Sequence, residues 1–349
     1  MTDALSLTEA QRLFHPEPGW LNTASYGLPP DPAWEAMQSA LGDWRTGATS
    51  WEIWDASTGR ARASFARLVG ATPADVAVGA AVSQFVGLIA ASLPDGSRVL
   101  APEIEFGSNL FPYQQHTHRG VTVETVPADE LVDRIDDTVD LVAVSVVQSS
   151  TGELTDLDAV SAKARSSGAL LAVDATQAVG WLPVDVRLVD ALVCGGYKWL
   201  CSPRGTAYCY LAPSLRERVV PEAAGWYAGE DVPASYYGPA LTLAGDARRF
   251  DLSPAWHCWV GAAPALSLLE QVGVAAIHEY DVALANRFRA GAGLPPGASA
   301  IVSIDAPDAA DRLAGAGIRA ATRDGQLRVS FHLYNDDADV DAALAALHP

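Results

Sequence analysis

The sequence predicts an α/β fold: a mainly parallel sheet flanked by helices, with a smaller α+β unit toward the C-terminal end. Three observations carry this. Short apolar runs at residues 141–147 (broken by Ser145 alone), 169–173 and 191–194 have strand length and little polar alternation, the pattern of strands buried on both faces. Stretches with helical periodicity separate such runs, as the crossovers of a parallel sheet require. After Pro295-Pro296-Gly297 the chain alternates strand and helix over 301–304, 309–316, 326–331 and 337–347, which reads as a separate small unit.

In chain order, residues 7–15 read as a short helix capped at Ser6 or Thr8. Asn22-Thr23-Ala24-Ser25-Tyr26-Gly27, followed by two prolines, reads as an irregular turn. An amphipathic helix follows over 32–45. Trp44, Trp51 and Trp54 then crowd a polar stretch. It reads as a loop held by packing or by a subunit interface, or as an aromatic wall for a flat or cationic group. A helix at 58–69, a strand at 76–78 and a small-residue turn at 80–83 lead into a helix from about 84. Free backbone N–H groups at such a helix start suit a phosphate. Strands at 98–101 and 120–126 come next, then a polar helix whose Asp129, Glu130, Asp133, Asp136 and Asp137 form a solvated face. A helix at 157–167 has Asp156 and Asp158 at its start, as the helix dipole favours. A strand at 206–211 precedes a long loop region, 222–248. Helices at 261–272 and 275–290 follow, and Asn335 reads as the N-cap of the last helix.

Length and composition set bounds. With 349 residues, 49% hydrophobic and 19% charged, the chain holds one large domain and a smaller one. We place the large domain at 16–254 and the small one at 1–15 with 255–349. The net charge of -19 opposes a nucleic-acid partner, because phosphates are repelled. No apolar stretch reaches the roughly 20 residues of a membrane span. The first residues lack a signal-peptide pattern, so the expected compartment is the cytoplasm. Cys194, Cys201, Cys209 and Cys258 show no metal spacing and read as reduced thiols.

The candidate chemistry lies where the apolar strands end. The run at 169–173 closes in Asp174, with Gln177 three residues on. The run at 191–194 closes in Gly195-Gly196-Tyr197-Lys198. In parallel sheets the crevice beyond the strands' carboxyl ends collects ligands, so Asp174, Gln177 and Lys198 are expected to share one. Taken singly, a lysine after a strand is an ordinary surface residue, and an aspartate there is an ordinary helix cap.

The order Asp-x-x-Gln, crossover, apolar strand, Gly-Gly, Tyr-Lys-Trp resembles fold-type I pyridoxal 5'-phosphate (PLP) enzymes, in particular the class V aminotransferase group. The resemblance implies a large domain with a mainly parallel seven-stranded sheet and a small C-terminal α+β domain. It implies that Lys198 carries the cofactor, that Asp174 holds the pyridine nitrogen protonated and that Gln177 meets the phenolic oxygen. It places the phosphate on Val82 and Ser83, with Tyr197 reaching it. Phe106, in Glu105-Phe106-Gly107-Ser108-Asn109, stands where the group usually has His, and implies ring stacking without proton transfer. Ser149 is implied near the cofactor oxygen or substrate. Asn22 and Arg328 are implied at the substrate α-carboxylate, the latter within Arg328-Val329-Ser330-Phe331-His332, with Tyr26 close by. Ser253 is implied as a phosphate contact across a homodimer that shares its active sites.

The segment ahead of Arg328, Ile318-Arg319-Ala320-Ala321-Thr322-Arg323-Asp324-Gly325-Gln326, holds no cysteine. The resemblance therefore favours β-elimination over persulfide chemistry. Kynureninase-like hydrolysis or transamination are the alternatives. The whole combination is similar to the carbon–sulfur lyases of ergothioneine biosynthesis. These imply a small-molecule cysteine S-conjugate, hercynylcysteine sulfoxide, as substrate, with aromatic faces and an acidic field receiving its trimethylammonium.

Overall fold

The computed structural model describes residues 4–306 and 308–347. In the N-terminal half, helices α1 (Leu7–Gln11), α2 (Asp31–Thr46) and α3 (Trp51–Val69) precede β1 (Val76–Gly79), α4 (Val82–Ala91), β2 (Arg98–Pro102) and α5 (Gly107–Gln114). The middle holds β3 (Thr122–Val126), α6 (Leu131–Arg134), β4 (Leu141–Ser145), α7 (Leu157–Ser167), β5 (Leu170–Asp174), β6 (Ala191–Gly195), β7 (Ala207–Leu211) and α8 (Pro213–Arg216). The chain finishes with α9 (Trp256–Val272), α10 (Val274–Gly291), β8 (Ile301–Ile304), α11 (Ala309–Gly315), β9 (Ala321–Arg323), β10 (Gln326–Ser330) and α12 (Asp337–Leu347).

The large sheet has seven strands in the order β1-β7-β6-β5-β4-β2-β3. The five strands from β6 to β3 are parallel; β7 runs antiparallel to β6 and to β1. Strands β4, β5 and β6 are buried on both faces, so their side chains do not alternate in polarity. One buried cluster lies on each face of the sheet. A three-stranded antiparallel sheet, β8-β10-β9, carries a third cluster with α10, α11 and α12. Helix α9, which the sequence reading puts in the small unit, packs on α2 and α3 and contributes to the first cluster.

Several local expectations are corrected. The tryptophan-rich stretch is not a loop: α3 begins at Trp51 after an α2 C-cap at Gly47, whose φ is 69°. Trp51 stacks on Trp256 at 5.1 Å and meets Trp226 edge-on. Asp55 accepts hydrogen bonds from Tyr227 Oη at 2.6 Å and Trp256 Nε1 at 3.1 Å. The aromatic set thus ties the irregular 225–237 segment to the start of α9. The acidic stretch after β3 is only a 3-10 turn and the four residues of α6. Asn335 does not cap α12; Asp336 Oδ1 accepts from Ala338 N and Asp339 N. Asn335 instead donates to Trp20 O and Asp339 Oδ2. Residues 107–114, where no element is expected, form α5 despite Pro112.

Candidate active site

Strands β2, β4, β5 and β6 are parallel and in register, so their carboxyl ends open on one crevice. Strand β1 points the same way, being antiparallel to β7, and delivers the N-terminus of α4 there. A cavity of about 190 Å3 occupies the crevice. Its wall brings together eight of the residues expected from sequence: Val82, Ser83, Phe106, Ser149, Asp174, Gln177, Tyr197 and Lys198.

Lys198 lies in the turn after β6 and is buried. Burial depresses its ammonium pKa to about 8; the carboxylate of Asp174 opposes this, and Arg328 and Arg323 add to it. An amine so placed is partly neutral near neutral pH and hence nucleophilic. Its Nζ lies 5.5 Å from the Phe106 ring centroid and 5.8 Å from that of Tyr197. Asp174, the last residue of β5, is also buried, which raises its carboxyl pKa; hydrogen bonds from Thr176 and the charge of Lys198 counter this. Its Oδ1 accepts from Thr176 N at 2.8 Å.

Gln177 has its amide fixed. Trp199 Nε1 is a donor only, and it donates to Gln177 Oε1 at 2.8 Å, so Nε2 must face the other way. That nitrogen donates to Ala24 O at 2.9 Å and Ser149 Oγ at 3.0 Å. Arg328, on β10, stands directly behind Ser149. It donates to the Ser149 carbonyl, to Ser149 Oγ at 3.2 Å and to Ser25 Oγ at 2.9 Å. Its Nε has no partner, and no carboxylate lies against it among the described residues. Burial, with Arg323 adding, lowers its pKa to about 10.

Asn22, Tyr26 and Ser253 are not on the cavity wall. Asn22 bridges to Ser330 and leaves its Oδ1 buried without a partner. Tyr26 is 49% exposed, in an adjoining apolar groove that shares Tyr197 and Arg204 with the cavity. Ser253 is exposed, two residues beyond Asp251. Asp251 itself is fully buried and structural: Arg62 pairs with it at 2.5 Å and Val78 N donates to it at 2.8 Å. The tryptophans of α2 and α3 do not line the cavity either.

Some wall residues are not marked by the sequence reading. Arg204 lies 4.4 Å from the Tyr197 ring centroid and reaches the wall from the turn after Lys198. Thr176 holds both Asp174 and, through Oγ1, Gly195 N at 2.9 Å; the Asp-x-Thr spacing of a side-chain turn was its signal. Behind the wall, Glu105 accepts from Ser145 N at 2.7 Å and Phe106 N at 2.9 Å. It thereby locks the end of β2 to that of β4. Burial raises its pKa, with Asp174 adding.

The wall fits PLP. The N-cap of α4, Ala81, has no side-chain cap, so the backbone N–H groups at Val82 and Ser83 are left for an anion. A buried carboxylate and a buried amine of depressed pKa face the same space. Comparison with known proteins agrees. The family model described as aminotransferase class-V matches residues 48–303. An uncharacterized aminotransferase of Bacillus subtilis (strain 168) is 28% identical over 336 residues, 90% of this chain and 89% of that protein. A kynureninase of Deinococcus radiodurans is 29% identical over 260 residues, 70% and 62% of the two chains. The solved structure of the cystine C-S lyase C-DES with its product cysteine persulfide superposes with a TM-score of 0.85 at 21% identity, over 95% of this chain and 97% of that one. A seven-stranded sheet that sets a lysine, an aspartate and an uncapped helix start around one cavity, together with a family match across most of the chain, makes this protein a fold-type I, PLP-dependent member of the class V aminotransferase family.

Proposed function

We propose that the chain is a carbon–sulfur β-lyase acting on an S-substituted cysteine, with hercynylcysteine sulfoxide as substrate; pyruvate, ammonia and the sulfenic acid form of an ergothioneine-type product are released. The observation that carries this reading is the β9–β10 hairpin. Sulfur abstraction through a persulfide needs a nucleophilic cysteine ahead of the C-terminal arginine. Here that segment is a tight hairpin turned on Asp324 and Gly325, with φ of 48° and 78°, and it holds no thiol. Phe106 at the mouth exchanges no proton.

When bound, PLP supplies an aldehyde that captures the substrate amine and a ring that accepts the electron pair left at Cα. Asp174 would pair with the ring nitrogen. Val82, Ser83 and Tyr197 would hold the phosphate. Arg328, with Ser149, would receive the α-carboxylate. Lys198, a neutral amine above a pH of about 8, would take the Cα proton. Cleavage of the Cβ–S bond would leave its electrons on sulfur, and hydrolysis of the three-carbon remnant would give pyruvate and ammonia. We further propose a homodimer, since Ser253 is exposed in the single chain and has no reach into its own cavity.

Kynureninase-like hydrolysis is the second reading, supported by Tyr197 ahead of the lysine and by the Deinococcus radiodurans relative. Incubating the holoenzyme with S-substituted cysteine sulfoxides and, separately, with kynurenine separates the two. Pyruvate with ammonia from the sulfoxides supports the lyase; anthranilate and alanine from kynurenine, with no pyruvate, overturns it.

A further inference from the structure

Two arginines meet on one hydroxyl beside the cavity. Arg328 Nη2 donates to Ser25 Oγ at 2.9 Å and Arg323 Nη2 donates to the same atom at 3.2 Å. The two terminal nitrogens are therefore within about 6 Å of each other, close enough for like charges to repel. Among the described residues neither is paired with an acid, and Arg323 bonds only to Ser25 Oγ and to Thr322 O. This occurs in a chain with 42 acidic and 23 basic residues, where carboxylates outnumber cationic side chains. Arg323 is also held in place: it closes β9, directly before the Asp324–Gly325 turn, and is paired with Gln326 across the hairpin. It is exposed, whereas Arg328 is buried. The pair thus forms a graded cationic path, from behind Ser149 outward to the surface, with Ser25 as the joint.

We propose that Arg323 is a specificity residue that binds a second anionic group, a distal carboxylate on the side chain of the amino acid substrate. The inference rests on the assignment above of Arg328 to the α-carboxylate. A single carboxylate needs one guanidinium fork. The buried Arg328 supplies that fork, so the exposed Arg323 remains for charge farther along the substrate. The substrate class is then an amino acid carrying a carboxylate several bonds beyond Cβ.

The test is ligand binding to the holoenzyme, read as the change in the cofactor's visible band. Glutamate is compared with norvaline, and 2-aminoadipate with norleucine; each pair differs by a carboxylate in place of a methyl group. In the natural protein at least one diacid binds about tenfold or more tightly than its methyl counterpart, as a charge-assisted contact supplies. That ratio falls to about one in Arg323→Gln and is partly kept in Arg323→Lys. A ratio near one in the natural protein, or one that survives Arg323→Gln, overturns the proposal. None of these ligands carries a leaving group at Cβ. Failure to form pyruvate from cysteine sulfoxides would therefore count against the lyase and leave the binding ratio to judge Arg323.

Discussion

Replacing Gly27 by alanine tests how closely the N-terminal segment must dock on the lysine turn. Gly27 N donates to Tyr197 O at 2.9 Å. A Cβ at position 27 would fall 2.0 Å from the carbonyl oxygen of Lys198, 3.1 Å from its carbonyl carbon and 3.2 Å from Cys201 Cα. All three atoms are backbone, so no side-chain rotation relieves the overlap. Non-bonded carbon contacts are optimal at about 3.5–4.0 Å, so one segment must retreat by about 1 Å or more. Overpacking costs about 1–3 kcal/mol, and the strained hydrogen bond to Tyr197 adds about 1 kcal/mol. A shift of about 1 Å at a reacting group lowers turnover on the order of a hundredfold. We expect Gly27→Ala to unfold at lower urea and to lose kcat more than substrate affinity. Gly42→Ala is the control. That glycine lies within α2, and no described atom beyond its own turn of helix comes within 4 Å of its added Cβ, so alanine there should stabilise by up to about 1 kcal/mol. A Gly27→Ala enzyme with the natural protein's kcat and urea midpoint would refute the reasoning.

Lys198→Ala should abolish the visible band of the cofactor-bound protein and cut turnover by on the order of a thousandfold or more; retention of both would show that another amine carries the cofactor. Because the Lys198 pKa is lowered to about 8, the rate at which apoprotein takes up PLP should rise with pH through about 8 and then level off; a rise continuing to 10 would mean an unperturbed lysine. Asp281→Asn breaks a fully buried pair in which His332 Nδ1 lies 2.8 Å from Asp281 Oδ2. Loss of one partner of such a pair costs about 3–5 kcal/mol, readable by urea unfolding, and a loss under 1 kcal/mol would contradict it. Asp281 raises the His332 pKa to about 10 against burial. The stabilisation from protonated His332 is therefore complete below about 6.5 and lost as pH rises through about 10. Asp281 is itself raised to about 6, chiefly by burial, so stability also falls as pH rises from the ordinary carboxylate range through about 6, and that cost is constant above it. Unfolding midpoints should fall between neutrality and pH 10 in the natural protein and change less in Asp281→Asn.

The buried strands were legible because covering both faces of a sheet removes polar alternation, leaving short apolar runs such as 169–173. Asp174, Gln177 and Lys198 were legible because each lies within four residues of such a run's end. The direction of β1 was not, since it depends on pairing with β7 more than a hundred residues away. The start of α3 at Trp51 was obscured because its tryptophans cover a neighbouring loop, which a polar stretch does not announce. Asn335 resembled a cap because asparagine is a good one, but Asp336 stands one residue nearer the helix. Arg204 acts through a fold of the chain after a strand end, and Ser25 meets Arg323 across 298 positions. Local pattern carries no trace of such meetings.

Trp199 is hydrogen-bonded at both of its ends. Its indole holds Gln177, and its carbonyl faces His332 Nε2 at 3.1 Å. Since His332 follows β10 and Arg328 is on it, one strand of the small sheet touches the lysine turn by two separate routes, through Ser149 and through Trp199. A tilt of that sheet is thereby geared to the floor of the cavity: the small unit cannot rock without tugging the segment that bears Lys198. Ligand occupancy at Arg328 should therefore be felt as altered amide exchange at residues 199–201, which do not line the cavity.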